Sequence, residues 1–281
     1  MQKRNITQLI TKRGFTLDAF EGDSITQEVQ KKGEYDTNTL NAISEILAQI
    51  QPNISLDVGA NIGNHALVIA KYSNKVVAFE PVTFVFDVLQ NNIKQNYAHN
   101  ITAANLGLSD KSAELKIHIP NNGNLGSSSI KASAIESEQF NIRTVAGDDY
   151  LKQNFDGQQI DFVKMDVEGH EAMALMGLAE TIKKNQPLIL LEWKSPNTID
   201  LFEQFDLFEK LFSGYDQYSL SYTSNKKVHA DSNLGYLKRI FYKLTGTRWC
   251  LSKFDVKKTY SNVYFVAPRH QQYFKTLTYL D

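Results

Sequence analysis

The sequence predicts an α/β fold built on a doubly wound, mostly parallel sheet with helices on both faces, and three observations carry that prediction. Short β-prone runs alternate with apolar residues at helical spacing along most of the chain. The run from Ile54 to Val58 enters a glycine turn, Gly59-Ala60-Asn61-Ile62-Gly63, and leaves it on a helical face. The next run, Lys75 to Phe79, ends in the acid Glu80 followed by Pro81. Neighbouring parallel strands cannot be joined by a tight hairpin, so this alternation puts helical crossovers on the sheet faces.

Taken in order, residues 1–50 are expected to form an N-terminal helical extension. Its clearest part is Leu40, Ile43, Ile46, Leu47 and Ile50, ended by Pro52 and Asn53. After the first strand and turn, Ala66, Leu67, Ile69 and Ala70 mark a helix; after the second strand, Phe84, Val88, Leu89 and Ile93 mark another. Ile101 to Leu106 reads as a third strand. Leu115 to Ile119 then leads into Pro120-Asn121-Asn122-Gly123-Asn124, which predicts an inserted hairpin after the third core strand. The sheet resumes at Ile160 to Met165 and passes through Asp166-Val167-Glu168-Gly169-His170 into a helix with Ala172, Leu175, Met176 and Ala179. Leu188 to Leu191 closes on Glu192-Trp193, a helix runs from Ile199 to Phe212, and a last strand lies near Val263 to Val266. Residues 51–195 are thus the core, and 196–281 the C-terminal part of the sheet, with a basic insertion at about 223–262. The six prolines are scattered and no Gly/Ser-rich linker interrupts the chain, so 1–281 reads as a single domain.

Composition narrows the function. Of 281 residues, 42% are hydrophobic and 22% charged, and 30 Lys and Arg nearly cancel 31 Asp and Glu, so a net charge of −1 gives no general pull toward nucleic acid. One cysteine, Cys250, excludes an internal disulfide framework and reads as a small buried hydrophobe. Thr7, Gln8, Thr11, Lys12 and Arg13 break every apolar stretch near the start, so a cytoplasmic location is expected.

The turn and its acid indicate a ligand. A dinucleotide fold would spell Gly-x-Gly-x-x-Gly, and the third glycine is missing here. Glu80 nevertheless stands at the separation expected of a carboxylate that binds ribose hydroxyls. Asp57 adds a negative charge that would repel a pyrophosphate and suits an ammonium or sulfonium. S-adenosylmethionine carries both cations and a ribose.

The segments Leu56-Asp57-Val58-Gly59-Ala60-Asn61-Ile62-Gly63, Phe79-Glu80-Pro81, Asn105-Leu106-Gly107-Leu108-Ser109-Asp110 and Val163-Lys164-Met165-Asp166-Val167-Glu168-Gly169-His170-Glu171 resemble the ordered motifs of the FkbM family of S-adenosylmethionine-dependent methyltransferases. The resemblance spans about residues 50–195. It implies a seven-stranded sheet whose last strand is antiparallel, with the cofactor across the carboxyl ends of the first strands at Asp57, Gly59, Ala60, Asn61, Gly63, Glu80, Pro81, Asn105 and Leu106. It also implies O-methylation of hydroxyls on sugars or secondary metabolites, without a metal. One departure is Val145-Ala146-Gly147-Asp148-Asp149, where relatives spell Thr-Leu-Asp-Asp; the extra glycine is expected to loosen that loop.

Methyl transfer to a hydroxyl needs a group that removes its proton. Asp166 and Glu168 fall at the carboxyl end of a core strand, where open parallel sheets bind ligands, and His170 opens the next helix. Asp166 is expected to be the base and His170 its alternative. Lys164 either orients an acidic or hydroxyl group or pairs with Glu192, and Trp193 either offers a face to a sugar ring or lies in the core. Asp148, Asp149 and Asp166 could meet around a cation, but their spacing does not demand it, and no metal is expected.

The expected acceptor is a hydroxyl-bearing glycan, glycolipid or small molecule. The basic, aromatic-interleaved stretch from Tyr236 to Lys258 either touches an anionic lipid or phosphorylated carrier or forms a solvated face. A homodimer is the base-rate expectation. Two other readings stand beside this one: a nicotinamide oxidoreductase, and a nucleoside-binding module without catalysis.

Overall fold

The computed structural model describes residues 4–120, 137–222, 249–275 and 279–280. The chain opens with a hairpin, β1 (Ile6–Ile10) and β2 (Thr16–Phe20), not with a helix as expected for residues 1–50. Exposure alternates along β1, but Thr7 and Gln8 are adjacent and the outward positions include Ile6 and Ile10, so no strand period shows in the sequence. Two helices follow. α1 (Ser24–Lys32) is capped by the Asp23 side chain on the Ile25 N–H and ends at Gly33, whereas α2 (Thr37–Ile50) buries Leu40, Ile43, Ile46 and Leu47.

The central sheet begins with β3 (Ile54–Val58), followed by α3 (Asn64–Ile69), β4 (Lys75–Phe79), α4 (Thr83–Gln95) and β5 (Ile101–Ala104). β6 (Gly107–Ser109), β7 (Ala113–Pro120) and β8 (Ser137–Ala146) form a separate three-stranded sheet in which β7 and β8 pair antiparallel. This is the inserted hairpin, with its connection outside the described residues.

The main sheet resumes with α5 (Gly147–Phe155), β9 (Ile160–Met165), α6 (Glu171–Met176), α7 (Ala179–Asn185) and β10 (Leu188–Trp193). α8 (Pro196–Gln204) and α9 (Leu207–Phe212) replace the single helix expected there, because Asp206 takes a left-handed conformation between them. β11 (Asp216–Tyr222), β12 (Trp249–Lys253), β13 (Tyr260–Val266), α10 (Gln271–Phe274) and β14 (Tyr279–Leu280) complete the described chain.

The strand order is β14-β12-β11-β13-β10-β9-β3-β4-β5. The seven strands from β11 to β5 are the expected doubly wound set, with β13 antiparallel to both of its neighbours. Among the described residues, β12 and β14 extend the β11 edge beyond the seven expected strands to nine. β12 lies within the stretch read as a basic insertion, yet Trp249, Cys250 and Leu251 are buried there. Lys226, Lys227, Lys238, Arg239, Lys243 and Arg248 lie outside the described residues.

Alternation along the strands builds two cores. Leu56, Val77, Val163, Ile189 and Trp193 pack on one face with α6, α7, α8 and α9. Val76, Phe162, Leu188, Leu190 and Tyr264 pack on the other with α2 and α3. Full burial of each such side chain contributes about 1.5–3 kcal/mol. A third cluster joins the N-terminal hairpin and α1 to α4 and β7–β8, and it stands beside the carboxyl ends of β3 and β4.

Candidate active site

A cleft of about 310 Å³ opens at the carboxyl ends of β3, β4, β9 and β10. Gly59, Ala60, Asn61, Glu80 and Pro81 line one half; Lys164, Asp166, Glu168, His170, Glu192 and Lys194 line the other.

Gly59 is required by packing as much as by ligand access. Its φ is +81°, and a Cβ there would lie 1.9 Å from the Asp166 carbonyl oxygen. The Gly59 and Ala60 N–H groups both donate to the Phe79 carbonyl, at 3.1 and 2.9 Å, which ties the turn to the end of β4. Glu80 is 7% exposed. One of its carboxylate oxygens accepts the Asn61 N–H at 3.0 Å and the other the Val82 N–H at 2.9 Å. Each keeps a lone pair for a further donor. Burial pushes the Glu80 carboxyl up to about 7, against the two backbone bonds and Lys164.

Asn105 is a support. Its side-chain amide donates to the Glu80 and Pro81 carbonyls at 2.9 and 3.1 Å, holding the acid's backbone from behind. Leu106 packs on the core and Gly63 against Leu89, and none of these three lines the cleft.

Asp57 corrects the expectation that it faces a ligand cation. It is fully buried, opposite Lys164 in the β3–β9 register, with Lys164 Nζ 3.4 Å from its carboxylate. Lys164 also reaches Asp166 at 3.8 Å and the Gly59 carbonyl at 3.4 Å. Burial opposes its charge, but Asp57 and Asp166 outweigh burial and hold Lys164 above the ordinary lysine value. The two alternatives offered by the sequence thus resolve into an internal ion pair, made with Asp57 rather than Glu192.

Asp166, Glu168 and Glu192 bring carboxylate oxygens within 4.8 Å of one another. For Asp166, burial is outweighed by Lys164 and by a hydrogen bond with Glu192, so its carboxyl lies below the usual value. Glu192 is pushed up to about 8 by burial and then by Asp166 and Glu168, even though Lys194 bonds to it. Glu168 is pushed up to about 7 by partial burial and by Asp166. It sits at the rim with a φ of +51°, a conformation that costs a non-glycine residue about 1–2 kcal/mol. The loop is held by Glu171, which accepts the Val167 and Gly169 N–H groups at 3.2 and 3.0 Å and the Thr198 hydroxyl. His170 Nε2 lies 3.0 Å from the Ser109 hydroxyl, and burial lowers its pKa, so it is neutral at pH 7.

These shifts give a stability prediction. A carboxyl raised in the folded state contributes stability that is full below its unfolded value, about 4.5, and is lost as pH rises through the folded value. Glu192→Gln is therefore expected to leave the thermal midpoint nearly unchanged at pH 5. At pH 9 it should stabilise by about 2 kcal/mol, or roughly 4–8 °C. Calorimetric scans at the two pH values check this.

Several lining residues come from segments that carry no motif. The α1–α2 loop supplies Tyr35 and Asp36, and Arg13 secures that loop through Glu34 at 2.5 Å and Asn41 at 2.5 Å. α3 supplies His65, whose Nε2 lies 3.4 Å from Asp36, and β13 supplies Ser261 and Asn262. Val82, Val85, Leu108, Ile117 and Ile142 make an apolar slot beside Glu80.

Other candidates fall elsewhere. Trp193 is fully buried among Phe202, Phe254 and Phe265 and offers no face to a sugar. Asp148 caps α7, accepting the Glu180 and Thr181 N–H groups at 2.8 and 2.9 Å, so it does not meet Asp166. Gly147 does not loosen its loop: a Cβ there would lie 2.4 Å from Leu178, which marks a tight contact. Cys250 is buried, and burial pushes its thiol up to about 11.

A doubly wound sheet with β13 reversed, a glycine turn after its first strand and an acid after its second defines the Rossmann-like methyltransferase class. Residues 57–218 match the family model described as the Methyltransferase FkbM domain. The chain belongs to the FkbM methyltransferase family, and its cofactor is S-adenosylmethionine. A hexuronic acid methyltransferase, AglP of Haloferax volcanii, is 29% identical over 133 residues. That match covers 47% of this chain and 53% of AglP, about half the length of that relative. The methyltransferase FkbM of Methylobacillus flagellatus superposes with a TM-score of 0.45 at 16% identity, covering 76% of this chain and 44% of that one. A putative O-methyltransferase of Klebsiella pneumoniae gives 0.47 at 10% identity, covering 88% and 91%.

The residues fit this cofactor. Glu80 has acceptor capacity left for two ribose hydroxyls, and the apolar slot beside it suits a flat base. Among the described residues, no helix is long and apolar enough to cross a membrane.

Proposed function

We propose that this protein is an O-methyltransferase acting on a hydroxyl of a sugar, whether in a glycan, a glycolipid or a glycosylated metabolite. The observation that carries the reading is the meeting of Asp166, Glu168 and Glu192 beside the glycine turn. The sugar acceptor named for AglP supports it. Glu80 and the apolar slot would hold the nucleoside of S-adenosylmethionine, which when bound supplies a methyl group on a sulfonium.

Glu168 takes the hydroxyl proton, freeing the acceptor oxygen for the methyl, whose carbon–sulfur bond would break with the electron pair staying on sulfur to leave S-adenosylhomocysteine. It faces the cleft, and its pKa of about 7 matches neutral pH, where a general base is most effective. Asp166, kept ionised by Lys164, accepts a hydrogen bond from the hydroxyl and aims it. This moves the base from Asp166, which the sequence favoured, to its neighbour. Neutral His170 stands beside them, tied to Ser109. Any contact with an anionic lipid or a phosphorylated carrier falls to the basic stretch at 223–262 rather than to the carboxylate half of the cleft.

The test is methyl transfer from S-adenosylmethionine to a panel of glycosides, read as S-adenosylhomocysteine formed. Acceptor-dependent turnover supports the reading; donor binding without turnover on any hydroxyl acceptor would favour a non-catalytic nucleoside-binding module.

A further inference from the structure

The acceptor half of the cleft has a lopsided charge. Asp166, Glu168 and Glu192 line it against two lysines, Lys164 and Lys194; Asp36 and Glu28 also line the cleft, Glu28 paired with Lys32 at 2.9 Å. Both lysines are already engaged, Lys164 with Asp57 and Asp166 and Lys194 with Glu192. Among the described lining residues, no cation is left to pair with a carboxylate or phosphate on an acceptor. An anion placed here would sit among carboxylates without a counter-charge, which is costly in a partly desolvated cleft.

The same cluster is shaped for a cation that donates hydrogen bonds. Three carboxylate oxygens within 4.8 Å of one another can share an ammonium, whose N–H groups reach acceptors at about 2.8–3.0 Å in different directions. A small divalent ion would draw the oxygens to about 2.1 Å around itself, where Lys164 and Lys194 would repel it.

A second feature of the cleft lining also marks a polar ligand. His65 is 8% exposed, and its Nε2 makes no hydrogen bond although Asp36 stands 3.4 Å away. A buried polar atom left unbonded costs about 1–3 kcal/mol, and a hydroxyl-rich ligand is the kind of molecule that satisfies it.

Resting on the methyl-transfer reading above, we propose that the acceptor is an amino sugar or a comparable vicinal amino alcohol. Its ammonium is held by ionised Asp166 and by Glu192, which gives up its proton to solvent as the cation offsets the neighbouring carboxylates, and the adjacent hydroxyl is presented to Glu168. Amine and hydroxyl on adjacent carbons are close enough for both to reach a cluster of this size. The cleft rejects sugars bearing a carboxylate or phosphate, which separates this chain from the hexuronic acid specificity named for AglP.

The experiment uses the full chain saturated with S-adenosylhomocysteine at pH 7, titrated with 4-nitrophenyl β-glucosaminide, β-glucoside and β-glucuronide. The glucosaminide is expected to bind at least about tenfold tighter than the glucoside, and the glucuronide weaker than both. Glu192→Gln is expected to reduce the glucosaminide preference at least about fivefold while leaving S-adenosylhomocysteine affinity within twofold. The unchanged nucleoside affinity shows that the variant is folded. Equal binding of the three, a glucuronide preference, no glucosaminide binding at about 10 mM, or a preference that survives in Glu168→Gln/Glu192→Gln each overturns the proposal. Failure of the protein to bind S-adenosylhomocysteine instead removes the methyl-transfer reading beneath it.

Discussion

Glu168→Gln is expected to lower turnover by about 10²–10³ while leaving S-adenosylhomocysteine affinity within twofold. Glutamine keeps the shape of the side chain and loses its capacity to take a proton. The rate of the unaltered protein should rise with pH through an apparent value near 7, following Glu168, and this limb should disappear in the variant. Asp166→Asn is expected to lower turnover less and to keep the limb, since it removes an orienting charge rather than the proton acceptor. A single-turnover pH series on both variants separates the roles. If the limb persisted in Glu168→Gln and vanished in Asp166→Asn, the base would be Asp166 after all.

Gly59→Ala should have the largest effect on stability. The added methyl meets the Asp166 carbonyl, at 1.9 Å, and this atom belongs to the backbone at the end of β9, which cannot swing aside like a flexible side chain. The left-handed φ adds strain for any side chain. Together these are expected to cost about 4 kcal/mol or more, lowering the urea midpoint or leaving the protein insoluble. The site should suffer even in the folded fraction, because the same contact joins the glycine turn to the strand that carries Lys164 and Asp166. A folded variant with an unchanged midpoint would show that the two strand ends can separate at little cost.

The parts of this site written locally were legible in the sequence. The Gly59–Gly63 turn and Glu80 each depend on a strand ending where its own residues end it, and the β-prone runs marked those ends. Local features also explain why α2 was found and the first hairpin was not: α2 has a long apolar stripe, whereas β1 is a short strand with exposed Ile6 and Ile10. Charge was not legible, because it depends on distant partners. Asp57 looked like a ligand for a cation, and only the β3–β9 register shows that this cation is Lys164. The protonation of Asp166 was equally hidden: Lys164 and a hydrogen bond with Glu192 depress it, whereas burial and Asp166 itself raise its neighbour Glu168. Tyr35, Asp36, Ser261 and Asn262 reach the cleft from segments without a motif. His65, two residues past Gly63 at the start of α3, had the one usable signal, its position just after the turn.

The central claim is that the cleft holds the nucleoside of S-adenosylmethionine through Glu80. It is tested most directly by calorimetric titration with S-adenosylhomocysteine, with NAD as control, on the unaltered protein and on Glu80→Ala. Saturable binding is expected of S-adenosylhomocysteine only. Its affinity should be at least about a hundredfold weaker in the variant, from the loss of two charge-assisted hydrogen bonds of about 1.5–3 kcal/mol each. Equal affinity in Glu80→Ala, or binding of NAD in place of S-adenosylhomocysteine, would contradict it.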